Sequence, residues 1–301
     1  MSVMEVSHRG KAFVACAEQT EALLREVLGV PDGYTVLFLQ GGASAQFDAI
    51  PMNFTQPGDQ VDFLNTGQWS LKAIKASKRQ GLQVEVIADE ATSNYTTVPA
   101  AGSYRVTPGA AYLHYTPNET IGGVEFDHIP ETWDVPLVAD FSSTILSRPV
   151  DVSRYAMIYA GAQKNMGPSG LCVAVVRDDL LGRARATTPS VLNYTDMAAA
   201  DSMLNTPPTF GVYLLGLILA WVKESGGLPA MAERNRAKAD LLYGAIDASG
   251  FYRNPIAVNA RSWMNVPFLV PDPALEKPFV AEATTAGLTN LAGHRSVGGM
   301  R

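Results

Sequence analysis

The sequence predicts an α/β protein: a three-layer αβα large domain around a mainly parallel, mixed sheet. Short apolar runs of strand length alternate along the chain with longer segments of helical spacing, and this alternation favours right-handed crossovers and parallel pairing. The apolar runs are continuous, which indicates strands that are covered on both faces. Polar or glycine-containing turns follow several of these runs, at the carboxyl ends where ligands bind in such sheets.

The apolar runs predict seven strands. They cover residues 35–39, 61–64, 84–88, 111–115, 135–139, 157–159 and 171–176. Helical spacing appears over residues 18–28, where Gly29 provides an end signal, and over residues 68–79. A further helix is predicted through Phe47 and Ile50, directly after the Gly41-Gly42 turn.

A domain boundary is predicted near Gly226. Residues 210–222 form the most apolar stretch, which is too short to span a bilayer and predicts a buried helix. Beyond the Ser225-Gly226-Gly227 break, residues 231–248 and a segment near 275–286 have helical spacing, and residues 262–270 predict a strand. The prediction is a large domain over residues 1–225 and a small α+β C-terminal domain over residues 226–301.

Composition excludes several functional classes. The 301 residues are 47% hydrophobic and 17% charged, which is typical of a globular chain, and the net charge of −6 with scattered basic residues argues against nucleic-acid binding. The two cysteines and four histidines are dispersed, so neither a disulfide framework nor a metal site is predicted. Because no apolar leader segment is visible either, the expected location is the cytoplasm, without membrane contact.

Lys164 is the first candidate catalytic residue. It lies among apolar and small side chains in residues 159–165, with no acidic residue beside it. Burial of an ammonium group is costly, and a lysine in such a place loses its proton readily and forms a Schiff base with an aldehyde. The alternative is a surface lysine whose stem covers apolar neighbours.

Asp140 ends an apolar run 24 residues before Lys164. Its carboxylate therefore enters a poorly solvated region and needs a cation, and a protonated pyridine nitrogen is such a cation. An acid that keeps this nitrogen protonated makes the ring an electron sink for charge at a substrate's α-carbon.

Three further features fit the same kind of cofactor. Residues 41–44, Gly-Gly-Ala-Ser, stand between a strand and a helix and can direct backbone N–H groups at a phosphate, although an ordinary tight turn has the same sequence. Trp69 can cover a flat ring, although core packing is the alternative. Thr120 follows a turn sequence that exposes a hydroxyl. Together with Lys164 and Asp140, these features describe pyridoxal 5′-phosphate (PLP).

Several segments resemble the phosphoserine aminotransferases, a family of class V, fold-type-I PLP-dependent aminotransferases. The matching segments, which extend from one end of the chain to the other, are residues 2–10, 114–120, 139–143, 159–165, 205–209 and 293–301. The resemblance implies a homodimer in which each active site is shared between two subunits.

The resemblance also implies residue roles. Lys164 would hold the cofactor as a Schiff base and transfer the proton, Asp140 would pair with the pyridine nitrogen, and Trp69 would stack on the ring. The remaining cofactor contacts would come from Thr120 to the phenolic side, from Ala43, Ser44 and Gln163 to the phosphate, and from Asn205 and Thr206 of the other subunit.

Substrate anions would be bound by basic residues near the two ends of the sequence. The resemblance assigns this role to His8, Arg9, His294, Arg295 and Arg301, with Arg301 on the α-carboxylate. Taken alone, the His-Arg pairs read as surface residues. The chain departs from the family in carrying Ser44 where some members have arginine, and in lacking an opening Asn-Phe-Ser-Ser-Gly-Pro stretch and the end of the small domain. The expectation is a sequence that lacks both termini.

The implied reaction moves an amino group between L-glutamate and 3-phosphooxypyruvate, giving O-phospho-L-serine and 2-oxoglutarate. A related step that forms 4-phosphooxy-L-threonine in pyridoxine synthesis is also implied. Two alternatives stay open: another class V enzyme, such as an alanine–glyoxylate aminotransferase or a cysteine desulfurase, and a fragment that binds cofactor without turnover.

Overall fold

The computed structural model describes residues 2–167, 169–295 and 297–301, so that Met1, Pro168 and Ser296 lie outside it. Within this range the central sheet has seven strands, and a separate two-stranded hairpin follows the fourth of the strands numbered below. The strands are β1 (Tyr34–Gln40), β2 (Gln60–Asn65), β3 (Gln83–Asp89), β4 (Leu113–Tyr115), β5 (Asn118–Glu119), β6 (Val124–Glu125), β7 (Leu137–Asp140), β8 (Met157–Gly161) and β9 (Leu171–Arg177).

The central sheet has the strand order β1-β9-β8-β7-β4-β2-β3. Strand β9 is antiparallel to both of its neighbours, β1 and β8, whereas the other neighbouring pairs are parallel. The predicted mainly parallel, mixed sheet is therefore confirmed. The β5–β6 hairpin was not predicted, because two-residue strands leave no periodicity in the sequence.

Helices cover both faces of the sheet. They are α1 (Lys11–Leu28), α2 (Gly42–Phe54), α3 (Gln68–Arg79), α4 (Tyr194–Ala199), α5 (Thr209–Glu224), α6 (Gly227–Ala248) and α7 (Glu276–Thr285). On one face, Leu24 of α1 and Leu215 of α5 are fully buried in a cluster with Val173 of β9. On the other, Ile50 of α2 and Ile74 of α3 pack in a second cluster. Each such side chain contributes about 2 kcal/mol through removal from water, and the two clusters give the predicted three layers.

The predicted burial of residues 210–222 is only half right. Helix α5 buries Val212, Leu215, Leu219 and Val222, but its opposite face exposes apolar side chains at helical spacing. These are Phe210, Tyr213, Leu217 and Trp221, with 46%, 37%, 50% and 54% of their surface exposed. Among the described helices none is long and apolar enough by itself to cross a membrane, although α5 and α6 together, bent by 83°, meet the criteria of length and composition.

The predicted strand at residues 262–270 is wrong. This segment makes only isolated bridges, at Phe268 with Met300 and at Leu269 with Arg253. The hydroxyl of Ser262 instead accepts the backbone N–H groups of Met264 and Asn265, which curls the chain, and Pro267 has no N–H to donate to a ladder. The proposed division at residues 225 and 226 stays a prediction; the chain turns there through Gly226, whose φ of 98° favours glycine.

Candidate active site

A cavity of about 250 Å³ opens at one edge of the central sheet. Because β9 is antiparallel to both β1 and β8, the strands β1, β2, β4, β7 and β8 all run in one direction. Their carboxyl ends therefore meet at this edge, as expected for a ligand site in an α/β sheet. The residues that line the cavity are Gly41, Gly42, Ala43, Ser44, Trp69, Thr116, Asn118, Thr120, Asp140, Ser142, Ser143, Gln163, Lys164, Ser169 and Gly170.

Lys164 lies in the turn after β8, and its amine points at the turn between β5 and β6. Its Nζ donates a hydrogen bond of 2.6 Å to Thr120 Oγ1 and lies 6.0 Å from the centroid of the Trp69 ring. Burial lowers the pKa of Lys164, the negative charges of Asp140 and Glu119 oppose that shift, and the charge of Arg301 adds to it. A lowered pKa increases the fraction of neutral, nucleophilic amine.

Asp140, the last residue of β7, lines the same cavity and is only 4% exposed. Its Oδ1 accepts hydrogen bonds from the backbone N–H of Ser142 at 2.9 Å and from the Ser142 hydroxyl at 2.6 Å. Burial raises the pKa of the Asp140 carboxyl, whereas the bonds from Ser142, the charge of Lys164 and a hydrogen bond from Tyr159 lower it. These donors favour the ionised carboxylate, which is the form that pairs with a cationic ring nitrogen.

The buried rings of Tyr159 and His114 lie next to Asp140 and form a hydrogen-bonded pair. Tyr159 stands opposite Asp140 in the register of β7 and β8, and its hydroxyl lies 2.9 Å from Nε2 of His114 on β4. Burial lowers the pKa of His114 to about 3, so that this imidazole is neutral. A neutral ring with its proton on Nε2 donates to Tyr159, which leaves the phenol hydrogen for Asp140.

The turn after β1 forms a cradle of backbone N–H groups. Gly41 and Gly42 have positive φ values of 86° and 62°, and helix α2 begins at Gly42. A side chain at Gly41 would bring its Cβ within 2.7 Å of Ala45 Cβ. Ala43 and Ser44 of the first turn line the cavity, their N–H groups have no partner within the helix, and a helix N-terminus of this kind binds phosphate.

The polar groups around the cavity fit PLP. Among the described residues, Thr116 Oγ1, Asn118 Oδ1 and Trp69 Nε1 are buried without a hydrogen-bond partner, and all three residues line the cavity. Buried polar atoms of this kind are satisfied by ligands or water. A ring in this cavity would meet the indole of Trp69, the carboxylate of Asp140 and the amine of Lys164, which are the groups such a ring needs.

Two predicted cofactor contacts lie outside the cavity of their own chain. Asn205 and Thr206 are held near the end of β1, where Gln40 Nε2 donates to Asn205 Oδ1 at 3.3 Å and to the carbonyl of Thr206 at 2.8 Å. This placement leaves their role in a partner's site as a prediction.

The predicted substrate-binding residues are likewise not among the described residues that line the cavity, and their role stays a prediction. They are His8 and Arg9, in the segment before α1, and His294, Arg295 and Arg301, after α7. Of these, Arg301 is near enough for its charge to lower the pKa of Lys164. The backbone N–H of Arg301 donates to the carbonyl of Leu291 at 3.0 Å.

Sequence reasoning missed two residues that shape the site. Ser142 holds Asp140, and its hydroxyl also accepts the backbone N–H of Gly161 at 3.0 Å, which ties β7 to β8. The Asp-x-Ser spacing is a signal for such a turn and was available in the sequence. Glu119, 1% exposed, accepts hydrogen bonds from the first turn of α3; its long-range partners left no local signal.

Comparison with known proteins identifies the family. The model of the family described as "Aminotransferase class-V" matches residues 2–300. A phosphoserine aminotransferase of Azotobacter vinelandii is 58% identical over 301 residues, which are the whole of this chain and 83% of that protein. A phosphoserine aminotransferase of Pseudomonas aeruginosa is 57% identical over the same shares.

Solved structures agree with this assignment. The phosphoserine aminotransferase from Bacillus circulans subsp. alkalophilus superposes with a TM-score of 0.97 at 47% identity, covering 100% of this chain and 83% of that one. A PLP-bound phosphoserine aminotransferase from Trichomonas vaginalis gives a TM-score of 0.94 at 40% identity, covering 100% and 85%. These findings confirm the resemblance predicted from the sequence: the chain belongs to the class-V aminotransferase family.

Proposed function

We propose that this protein is a PLP-dependent aminotransferase that moves an amino group between L-glutamate and 3-phosphooxypyruvate, giving O-phospho-L-serine and 2-oxoglutarate. The observation that carries the proposal is that Lys164, Asp140 and Trp69 line one cavity. Identities of 56–58% to phosphoserine aminotransferases over the whole chain support the substrate assignment. The related step that forms 4-phosphooxy-L-threonine is included in the proposal because its substrate also carries a carboxylate and a phosphate, which need the same cofactor and the same binding residues.

Bound PLP supplies an aldehyde for the lysine amine and a ring that accepts the electron pair released at a substrate's α-carbon. Lys164 would hold the cofactor, and its lowered pKa favours the neutral form of an amine that also moves the α-proton. Thr120 fixes the direction of that amine through the 2.6 Å hydrogen bond. Asp140, whose Oδ1 accepts two hydrogen bonds from Ser142, stabilises the protonated ring nitrogen.

Binding and water exclusion are the tasks of the surrounding residues. The indole of Trp69 covers one face of the ring, and Lys72 Nζ lies 3.9 Å from the centroid of the indole. Ala43 and Ser44, with Gln163, hold the cofactor phosphate at the N-terminus of α2. The protein carries a net charge of −6. Each substrate has two anionic groups and therefore needs local cations, which we assign to His8, Arg9, His294, Arg295 and Arg301.

We further propose a homodimer, located in the cytoplasm. The exposed apolar face of α5, defined by Phe210, Tyr213, Leu217 and Trp221, directly follows Asn205 and Thr206 in sequence. A partner that covers this face also brings its Asn205 and Thr206 towards a phosphate site.

Leu217→Glu is expected to shift the protein from dimer to monomer in light scattering. Leu241→Glu, at a 78% exposed leucine of α6, is the control; equal masses for both variants would contradict the assigned face.

A spectroscopic experiment tests the function. The protein is mixed with PLP, the visible absorption band is recorded, and L-glutamate is added. Loss of the visible band and appearance of a near-ultraviolet band support amino transfer, and a band that L-glutamate leaves unchanged indicates a binder without turnover. Lys164→Ala is expected to abolish the visible band of covalently held cofactor and to reduce turnover by a factor of about 1,000 or more. Faster reaction with alanine than with O-phospho-L-serine would favour another class V activity.

A further inference from the structure

Glu119 connects three parts of the site although it does not line the cavity. It is the last residue of β5, and its carboxylate accepts hydrogen bonds from the backbone N–H of Trp69 at 3.0 Å, from the backbone N–H of Ser70 at 2.9 Å and from the Ser70 hydroxyl at 2.8 Å. The two N–H groups belong to the first turn of α3, where no helical partner exists for them. A side chain from a distant element therefore caps the helix that carries Trp69.

The capping position of α3 is built around this carboxylate. The residue there, Gly67, has no side chain to cap with, and a Cβ on it would lie 2.7 Å from Glu119 Cδ and 2.9 Å from Glu119 Oε2. The φ of Gly67, 160°, is extended backbone that any residue adopts. The requirement for glycine is therefore steric, and its cause is Glu119.

The charge of Glu119 also acts on the amine of Lys164. Burial raises the pKa of the Glu119 carboxyl, and the bonds from Ser70 and Trp69 oppose that shift. The N-terminal end of a helix stabilises a negative charge. That charge raises the pKa of Lys164, and Thr120, the next residue in the chain, accepts the hydrogen bond of the Lys164 amine.

We infer that Glu119 is a positioning residue, which fixes the Trp69 ring and the Lys164 amine relative to one another so that a bound PLP ring fits between them. This inference rests on the proposed function. Glu119 contacts neither the Trp69 ring nor the Lys164 amine directly. It fixes Trp69 through the backbone N–H, and it acts on Lys164 through the neighbouring Thr120 and through its own negative charge.

The main test is Glu119→Gln, which keeps the shape but turns one acceptor into a donor that faces the N–H groups of α3. Glu125→Gln is the matched control, because Glu125 is also buried, pairs with Asn118 across the same hairpin and contacts Arg148 outside the cavity. The dissociation constant of PLP is measured by titration of the cofactor-free protein. We expect an increase of at least tenfold for Glu119→Gln and of less than twofold for Glu125→Gln.

A second readout separates positioning from loss of stability. The charged groups that face Lys164 are Asp140, Glu119 and Arg301, and removal of the Glu119 charge lowers the pKa of the amine. The pH midpoint of covalent PLP capture is therefore expected to move to lower pH in Glu119→Gln and to stay unchanged in Glu125→Gln. Melting of the cofactor-free variants shows how much each substitution destabilises the fold.

Gly67→Ala covers the case in which Glu119→Gln does not fold. This variant keeps the charge but displaces the carboxylate, so PLP binding weakens by a similar factor while the pH midpoint is unchanged. If Glu119→Gln and Gly67→Ala bind PLP as tightly as the wild type, the inference is overturned and the proposed function stands. If the wild type itself gives no visible band with PLP, the proposed function and the inference both fail.

Discussion

The two halves of the candidate site are held in different ways. The cofactor half consists of Lys164, Asp140, Trp69 and Thr120, which stand at strand ends or in the helix turn that follows one and make hydrogen bonds of 2.6–3.0 Å. The predicted substrate half, at His8, Arg9, His294, Arg295 and Arg301, lies on segments outside the central sheet. The difference teaches that the sheet positions the reactive groups, whereas the predicted substrate contacts lie on segments that no strand of the sheet holds.

Among substitutions that keep the shape of the side chain, Asp140→Asn gives the largest expected effect, because it removes a charge from the cofactor half. The amide cannot balance a cationic ring nitrogen, so turnover with L-glutamate is expected to fall by roughly 100- to 1,000-fold. The visible band of bound PLP and the melting temperature, measured alongside, should change little. A variant with more than a tenth of wild-type turnover would show that the carboxylate is not essential.

Arg301→Lys addresses the substrate half and is expected to have a smaller effect. A lysine keeps the positive charge but cannot form the forked pair of hydrogen bonds with a carboxylate, so KM for L-glutamate should rise by roughly 10- to 100-fold. The dissociation constant of PLP is measured as a control and should be unchanged. An altered PLP affinity with an unchanged KM would place Arg301 in the cofactor half.

His114→Gln tests the rigidity of the cofactor half through acid stability. The folded protein holds His114 neutral with a pKa of about 3, whereas an unfolded histidine has a pKa of about 6.5. Below pH 6.5 the unfolded chain therefore binds a proton that the folded chain does not, and the free energy of unfolding falls by up to about 1.4 kcal/mol for each pH unit.

Glutamine cannot take up that proton, so urea unfolding of His114→Gln should depend less on pH between about pH 6.5 and pH 4 than unfolding of the wild type. His128→Gln, in the loop after β6, is the control. The same pH dependence in wild type and His114→Gln would mean that protonation of this histidine is not coupled to unfolding.

Most of the sheet was predictable because the strands are continuous apolar runs, and all seven strands of the central sheet agree with the prediction to within two residues at either end. The cofactor followed from residues at or shortly after strand ends, and the family from these together with segments near both ends of the sequence. The segment at 262–270 was not predictable, since a Ser262 turn and Pro267 override an apolar pattern. Burial of α5 was overestimated, because hydrophobicity does not say which face meets the core.

Residues linked by long-range contacts were also beyond sequence reasoning. Glu119 and Trp69 are 50 positions apart, and nothing near either residue signals that a carboxylate caps α3. Asp140 and Ser142, by contrast, are two positions apart and form a turn with a known signature.

The position of strand β9 late in the sequence determines when β1 can pair during translation of the protein. In the sheet β1 pairs with β9, and Tyr34 stands opposite Arg177, although 143 positions separate them. At about 5–20 residues per second a ribosome needs roughly 7 to 30 s to make that interval. During this time the nascent β1 has no hydrogen-bonding neighbour, and the glycine turn that follows it has no fixed place. Catalytic competence is therefore acquired late in translation, and the exposed edge of β1 is the surface on which chaperones are expected to act.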